Sequence, residues 1–173
     1  MTEVRSFAPI ARADARVLVL GSMPGVASLA ANAYYAHGRN AFWPIMGALF
    51  GFDPALPYAQ RVAALLAARV AVWDVLQSCT RAGSLDAAIE RDSEVANDFP
   101  GFLRRHPEIT GVFFNGGAAE AAFRRHVSPL PALQGRPLPM IRLPSTSPAN
   151  ASFSFERKLA AWQCLLLSPS TSE

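Results

Sequence analysis

Four short runs, residues 16–20, 69–73, 111–114 and 140–143, are apolar almost without interruption. Strands that lie inside a parallel sheet, covered on both faces, have this pattern, whereas strands with one wet face alternate. Between the runs lie stretches with helical character, residues 40–50, 58–69, 84–91, 117–125 and 154–167. Val62, Leu65 and Leu66 recur at helical spacing in the second of these, and Leu159, Trp162 and Leu166 form one stripe in the last. Ser84 is placed to cap the third. Strand alternating with helix means an α/β domain whose parallel strands are joined by crossovers. A chain of 173 residues fits one such domain over residues 1–173, with the Ser-rich stretch 168–173 expected to fray.

In a sheet of this kind ligands collect at the carboxyl ends of the strands. The loops there span residues 21–25, 74–83, 115–117 and 144–151, and they carry most of the chemically distinctive residues. The first, Gly21-Ser22-Met23-Pro24-Gly25, combines two glycines and a proline in a sharp turn that leaves backbone N–H groups free for a ligand. Close behind it, residues 34–44 hold four aromatics together with His37, Arg39 and Asn40. The two segments together suit a pocket for a flat heterocycle beside a phosphate.

Each further cluster has a plain structural reading beside the functional one. Asn115 offers an amide oxygen and two N–H donors, the pair that reads a lactam edge such as O6/N1–H of hypoxanthine or O4/N3–H of uracil; Asn-Gly is also ordinary turn chemistry. Asp74 ends the second strand, where it positions a water, orients the Gly21 turn or merely caps the next one. Ser145, Thr146, Ser147 and Pro148 form a stiff hydroxyl-rich loop suited to phosphate oxygens, or to no ligand at all. The Arg104-Arg105-His106 and Arg124-Arg125-His126 triplets fall at expected helix ends, where cations complement the helix dipole.

Charge adds little by itself. The net charge of +3 and isoelectric point near 9.3 suit a polyanion without requiring one. Lys158 is the only lysine, so positive charge is almost all guanidinium, the better fork for phosphates; a general bias toward Arg, Ala and Pro gives the same skew. Cys79 and Cys164 stand alone, and His37, His106 and His126 are scattered, so no metal site and no cofactor is expected. With no signal-like h-region and no apolar run of about 18 residues, a cytoplasmic protein without a membrane segment is expected. A P-loop, a GxGxxG fingerprint and a GxSxG elbow are absent from the sequence.

Taken in order, Gly21-Ser-Met-Pro-Gly25, the segment 34–44, Val72-Trp73-Asp74-Val75, Phe114-Asn115-Gly116 and Leu143-Pro-Ser-Thr-Ser-Pro148 resemble the motifs of the uracil-DNA glycosylase superfamily. They are most similar to its hypoxanthine-DNA glycosylase branch, over residues 16–166. The resemblance implies a three-layer α/β/α sandwich around a four-stranded parallel sheet, acting as a monomer on DNA that contains a deaminated base. Where the uracil/thymine branch has a water-holding asparagine in the first motif, this chain has Met23. The resemblance moves that duty to Asn40 and leaves base reading to Asn115, which favours hypoxanthine over uracil.

The expected site therefore has Asn40 and Asn115 as catalytic residues. Gly21, Ser22, Met23, Pro24, Gly25, Tyr35, His37, Phe42 and Asp74 bind the base, with Phe42 or a neighbouring aromatic stacked on it. Arg39, Ser145, Thr146, Ser147 and Pro148 contact DNA. Lys158, placed in the last helix away from these loops, leaves the pocket without an amine nucleophile, so hydrolysis without strand cleavage is expected. The alternatives are a uracil- or other-lesion enzyme, a binding module that opens no bond, and a small-molecule nucleoside enzyme.

Overall fold

The computed structural model describes residues 2–167. Its centre is a four-stranded sheet built from β2 (Val17–Gly21), β3 (Val70–Asp74), β6 (Gly111–Asn115) and β7 (Met140–Leu143), all parallel, in the order β3-β2-β6-β7. The four expected strands are all present, β2 and β3 shifted by one residue and β6 extended by one. The residues of β2 divide between two cores, as the alternation of a strand demands. Leu18 and Leu20 join Ala71, Trp73, Val112 and Phe114 on one face, under α4 (Phe99–Arg105) and α5 (Gly117–His126). Val17 and Val19 join Val70, Val72 and Phe113 on the other, under α2 (Phe42–Phe50), α3 (Tyr58–Ala67) and α7 (Phe155–Trp162). Helices on both faces of a parallel sheet make the α/β/α sandwich. Only β7 departs from the doubly covered pattern: Met140, Ile141 and Arg142 are exposed at that edge, whereas β3, at the other edge, is buried and bridged by Ile10 through Val72.

Several elements differ from the sequence reading. Residues 74–83, expected as a loop, contain β4 (Leu76–Thr80), which pairs antiparallel with β1 (Glu3–Arg5) and β5 (Val95–Ala96) in a second, small sheet. Its polar residues Gln77, Ser78 and Thr80 hide the strand from a hydrophobicity pattern. Residues 84–91 are not an α-helix but two 3-10 turns, Asp86–Ala88 and Arg91–Ser93. Ser84 caps a different helix from the one expected. Its Oγ accepts from the Val26 N–H at 2.8 Å, at the start of α1 (Val26–Ala31). At the last helix, α7 stops at Trp162 and tightens into the 3-10 turn Gln163–Leu167, which rotates the apolar stripe. Leu165 is buried in place of Leu166, which is 51% exposed. The expected fray at residues 168–173 lies outside the described residues.

One local feature sets up everything that follows. Only Val75 separates β3 from β4, and the chain there bonds back to the end of β2: Val75 N–H donates to Gly21 O at 2.8 Å and Leu76 N–H to Ser22 O at 3.1 Å. This crossing carries residues 81–86 over the carboxyl end of the central strand.

Candidate functional site

Strand β2 has β3 on one side and β6 on the other, so the crossovers leave it in opposite directions. The carboxyl ends of β2 and β6 flank the resulting crevice, the place where open α/β sheets bind ligands. A cavity of about 330 Å³ opens there. Its wall is made of residues 21–28, Tyr34, Tyr35, His37, Asn40, Asp74, residues 84–86, Asn115 and residues 145–149. Both expected asparagines face this one space.

The floor is built around Gly21. In register it lies beside Asp74 on the neighbouring strand. A Cβ on Gly21 would sit 2.5 Å from Asp74 Oδ1 and 3.0 Å from the Tyr35 hydroxyl, so only glycine lets those two side chains close over the strand end. Asp74 is buried, and its Oδ2 has no hydrogen-bond partner among the described residues. Burial pushes its carboxyl up to about 7; the charge of Asp86 adds to the rise and the guanidinium of Arg81 opposes it. The Tyr35 hydroxyl is likewise buried, with no well-formed hydrogen bond among the described residues; burial, then the charge of Asp74, hold its pKa well above the usual tyrosine value, and the nearby Asn115 carboxamide opposes the rise.

Tyr35 has the left-handed backbone (φ 53°) that bulky side chains avoid, at a cost on the order of 1–3 kcal/mol. Its neighbours leave it no alternative. Trp43 Nε1–H donates to Tyr34 O at 2.8 Å, the Tyr34 hydroxyl donates to Ala8 O at 2.9 Å, and Ala36 N–H donates to Ser28 Oγ at 3.1 Å. The strained residue lays its ring on Phe42, with centroids 4.1 Å apart and planes at 25°. Phe42 is therefore fully buried and absent from the cavity wall, which corrects its expected stacking role. Tyr35 lies between Phe42 and the cavity. Trp43 serves the core instead, edge-on to Phe42 and Tyr58.

Asn40 and Asn115 are each fixed by a backbone partner. Asn40 Oδ1 accepts from Phe42 N–H at 2.9 Å, closing a turn before α2 and leaving its NH₂ and a second lone pair uncommitted to that bond. Asn115 Oδ1 accepts from Thr146 N–H, and its Nδ2 donates to Thr146 Oγ1, both at 2.9 Å. Thr146 O in turn accepts from Ala41 N–H at 3.0 Å. Thr146 is thus a clasp between the end of β6 and the Asn40 turn. It is 1% exposed, so its expected contact with DNA is corrected to a structural one.

Its neighbours remain at the surface of the loop. Ser145 Oγ accepts from Ser147 N–H and Ser147 Oγ from Ala149 N–H, both at 3.2 Å, which leaves the hydroxyl hydrogens free of those bonds. Lys158 does not lie apart from the loops as expected. It is buried, and its Nζ donates to Ser147 O at 3.3 Å, tying α7 to the loop from behind without lining the cavity.

Ser22, Met23, Pro24, Gly25 and Pro148 line the cavity, while Arg39 is exposed outside it. His37 lines it too. Its Nδ1 accepts from Arg39 N–H at 3.1 Å, so the neutral ring carries its proton on Nε2. Sequence reasoning missed Arg81, Ser84 and Asp86. Arg81 is buried beneath the first turn, Nη2 donating to Pro24 O at 2.5 Å; Asp86 Oδ1 accepts from Ser22 Oγ at 2.5 Å. Arg81 lies within the expected loop 74–83 but was not singled out, and no residue pattern in 84–86 announced a place in the site, because the segment reaches it through the unexpected strand β4.

Among the described residues no group of three or more His, Cys, Asp or Glu is placed to hold a metal, and no helix is long and apolar enough to cross a membrane.

A cavity at the switch point of a parallel sheet, walled by two carboxamides, a tyrosine ring and a hydroxyl-rich loop, places the protein among α/β proteins equipped to hold a planar heterocycle. The family follows from comparison. The model described as the uracil DNA glycosylase superfamily matches residues 8–166, and the chain belongs to that superfamily. A protein of Methanosarcina acetivorans named hypoxanthine DNA glycosylase is 31% identical over 162 residues, 93% of this chain and 96% of that protein. A protein of the same name from Methanosarcina barkeri is 34% identical over 113 residues, 65% of this chain and 70% of its own. A solution NMR structure from Methanosarcina acetivorans, provisionally named a uracil DNA glycosylase, superposes with a TM-score of 0.76 at 28% identity, covering 95% of this chain and 99% of the other.

Proposed function

We propose that this protein hydrolyses the N-glycosidic bond of deoxyinosine in DNA, releasing hypoxanthine and leaving an abasic site. The observation that carries the reading is the opening of Asn40 and Asn115 onto one cavity, together with relatives named hypoxanthine DNA glycosylase. A base inside a duplex is out of reach of such a cavity, so the nucleotide is flipped out, which costs a few kcal/mol and least at a mismatched base. The flipped base stacks on Tyr35, a contact worth about 1–3 kcal/mol. The Asn115 N–H not given to Thr146 and the Nε2–H of His37 donate to O6 of its lactam edge, and the second lone pair of Asn115 Oδ1 accepts from N1–H.

As the bond lengthens, positive charge grows on the sugar and negative charge on the base. Donors already fixed in place stabilise the latter without rearranging. Asn40, its rotamer set by Phe42 N–H, directs a water at C1′. An amide is a weak base, so its part is placement and electrostatics. Met23 has no group that holds a water, which disfavours uracil chemistry of the Asn-motif type. Ser145, Ser147 and the exposed Arg39 contact the phosphates on either side.

The enzyme is a monomer of the cytoplasm, in keeping with two unpaired thiols, Cys79 and Cys164. A set of duplexes carrying single hypoxanthine, uracil or xanthine lesions tests the reading. Free hypoxanthine and alkali-labile sites are expected from the first; tight binding with no release would make the protein a lesion-binding module instead.

A further inference from the structure

Two polar groups beside the floor of the cavity contain buried atoms without a hydrogen bond among the described residues. These atoms are Asp74 Oδ2 and the Tyr35 hydroxyl, and the other oxygen of the same carboxyl, Oδ1, lies with that hydroxyl beside Gly21. A lone buried carboxyl costs stability and is retained where its proton or charge is used. The strained backbone of Tyr35 and the glycine that clears room for Asp74 are independent signs that the fold is arranged to bring these groups together.

Resting on the reading above, we propose that Asp74 is a catalytic acid that protonates N7 of the departing purine, with the Tyr35 hydroxyl beside it setting part of its electrostatic surroundings. A purine leaves poorly as an anion and readily once its imidazole ring is protonated. The proton passes from Asp74 to N7, and the C1′–N9 bond breaks with its electron pair on the base. The oxygen of the water held by Asn40 bonds to C1′, and that water's surplus proton goes to solvent. Hypoxanthine leaves neutral, and Asp74 recovers a proton from solvent.

The surroundings favour this protonation state. Asp74 is faced by Tyr34 and Tyr35 from the aromatic segment and by Asp86 and Arg81 from the crossing loop; burial and Asp86 outweigh Arg81 and bring its pKa to about 7. A group with that pKa is well matched to giving up a proton at neutral pH.

Single-turnover base release from duplexes containing deoxyinosine or 7-deaza-deoxyinosine, followed from about pH 5.5 to about pH 9, tests this directly. On deoxyinosine the wild type is expected to hold its rate at low pH and lose it above about pH 7; Asp74→Asn is expected to be about 100-fold or more slower at pH 6, with that decline gone. On the 7-deaza substrate the wild type slows and Asp74→Asn costs nothing further. Tyr35→Phe is expected to shift the pH at which the wild-type rate declines. An active wild type whose rate is flat from about pH 6 to about pH 9, or an Asp74→Asn loss of equal size on both substrates, overturns the assignment while leaving the glycosylase reading intact. No hypoxanthine release by the wild type at any pH overturns both. Should the Asn variant fail to fold, the wild-type profile on the two substrates still decides.

Discussion

The carboxamide of Asn115 holds Thr146 at both of its polar ends, accepting from the backbone N–H and donating to the hydroxyl at 2.9 Å each. Because Thr146 O also receives Ala41 N–H, one buried threonine couples the two asparagines of the site. Replacing Asn115 with Ala leaves a buried N–H and hydroxyl without partners, at about 1–3 kcal/mol. Asn115→Asp can keep the loop, since a carboxylate accepts from the N–H and from the hydroxyl turned around, but it loses its donor to the base. Denaturant melts are expected to show Ala well below wild type and Asp much closer, while both lose base release.

Gly21→Ala tests the floor. The added methyl meets Asp74 Oδ1 at 2.5 Å and the Tyr35 hydroxyl at 3.0 Å, so the two side chains must part. Strand β2 itself tolerates alanine, because Gly21 is not at positive φ. The expected result is a folded protein with at least about tenfold slower excision, equivalent to about 1.4 kcal/mol in the barrier, measured under single-turnover conditions.

Asp74 carries a stability cost whose sign is set by its raised pKa. The unfolded carboxyl titrates near 3.8, the ordinary aspartate value, and the folded one at about 7, so the folded state binds the extra proton between those values. Stability contributed by that proton is complete below the unfolded pKa and is lost as pH rises through about 7. Each unit of the shift corresponds to about 1.4 kcal/mol, giving an order of a few kcal/mol in all. Asp74→Asn is therefore expected to be more stable than wild type at pH 8, with the advantage shrinking toward pH 5. Thermal melts at the two pH values check it; a variant less stable at pH 8 contradicts the raised pKa.

Lys158, the sole lysine, points its amine at Ser147 O and does not line the cavity. Borohydride is expected to trap no covalent complex with abasic DNA. Lys158→Met is expected to weaken DNA binding several-fold through the loosened loop while retaining base release. A borohydride adduct lost in that variant would assign it a lyase step instead.

The parallel sheet was legible because its strands are continuous apolar runs, and the position of the site followed from where such sheets bind ligands. What escaped was what polar strands and short elements hide. Strand β4 has the sequence Leu-Gln-Ser-Cys-Thr, and α1 and α4 have six and seven residues, too short for periodicity to register. Missing β4 meant missing the route by which Ser84 and Asp86 reach the cavity and Arg81 comes to lie beneath its first turn. Phe42 and Thr146 sit in the expected segments but turn into the core rather than toward a ligand. A sequence places an aromatic in a segment, and only packing decides whether Tyr35 or Phe42 meets the cavity.

The most direct test compares wild type with Asn40→Ala on one deoxyinosine duplex, measuring DNA binding and chromatographically detected free hypoxanthine in the same samples. The lost turn at Phe42 N–H costs about 1 kcal/mol, too little to unfold a typical domain. The account predicts binding within a few-fold of wild type and base release slowed by about 100-fold or more, since a water placed in line is worth that much. Hypoxanthine released by Asn40→Ala at close to the wild-type rate would contradict it.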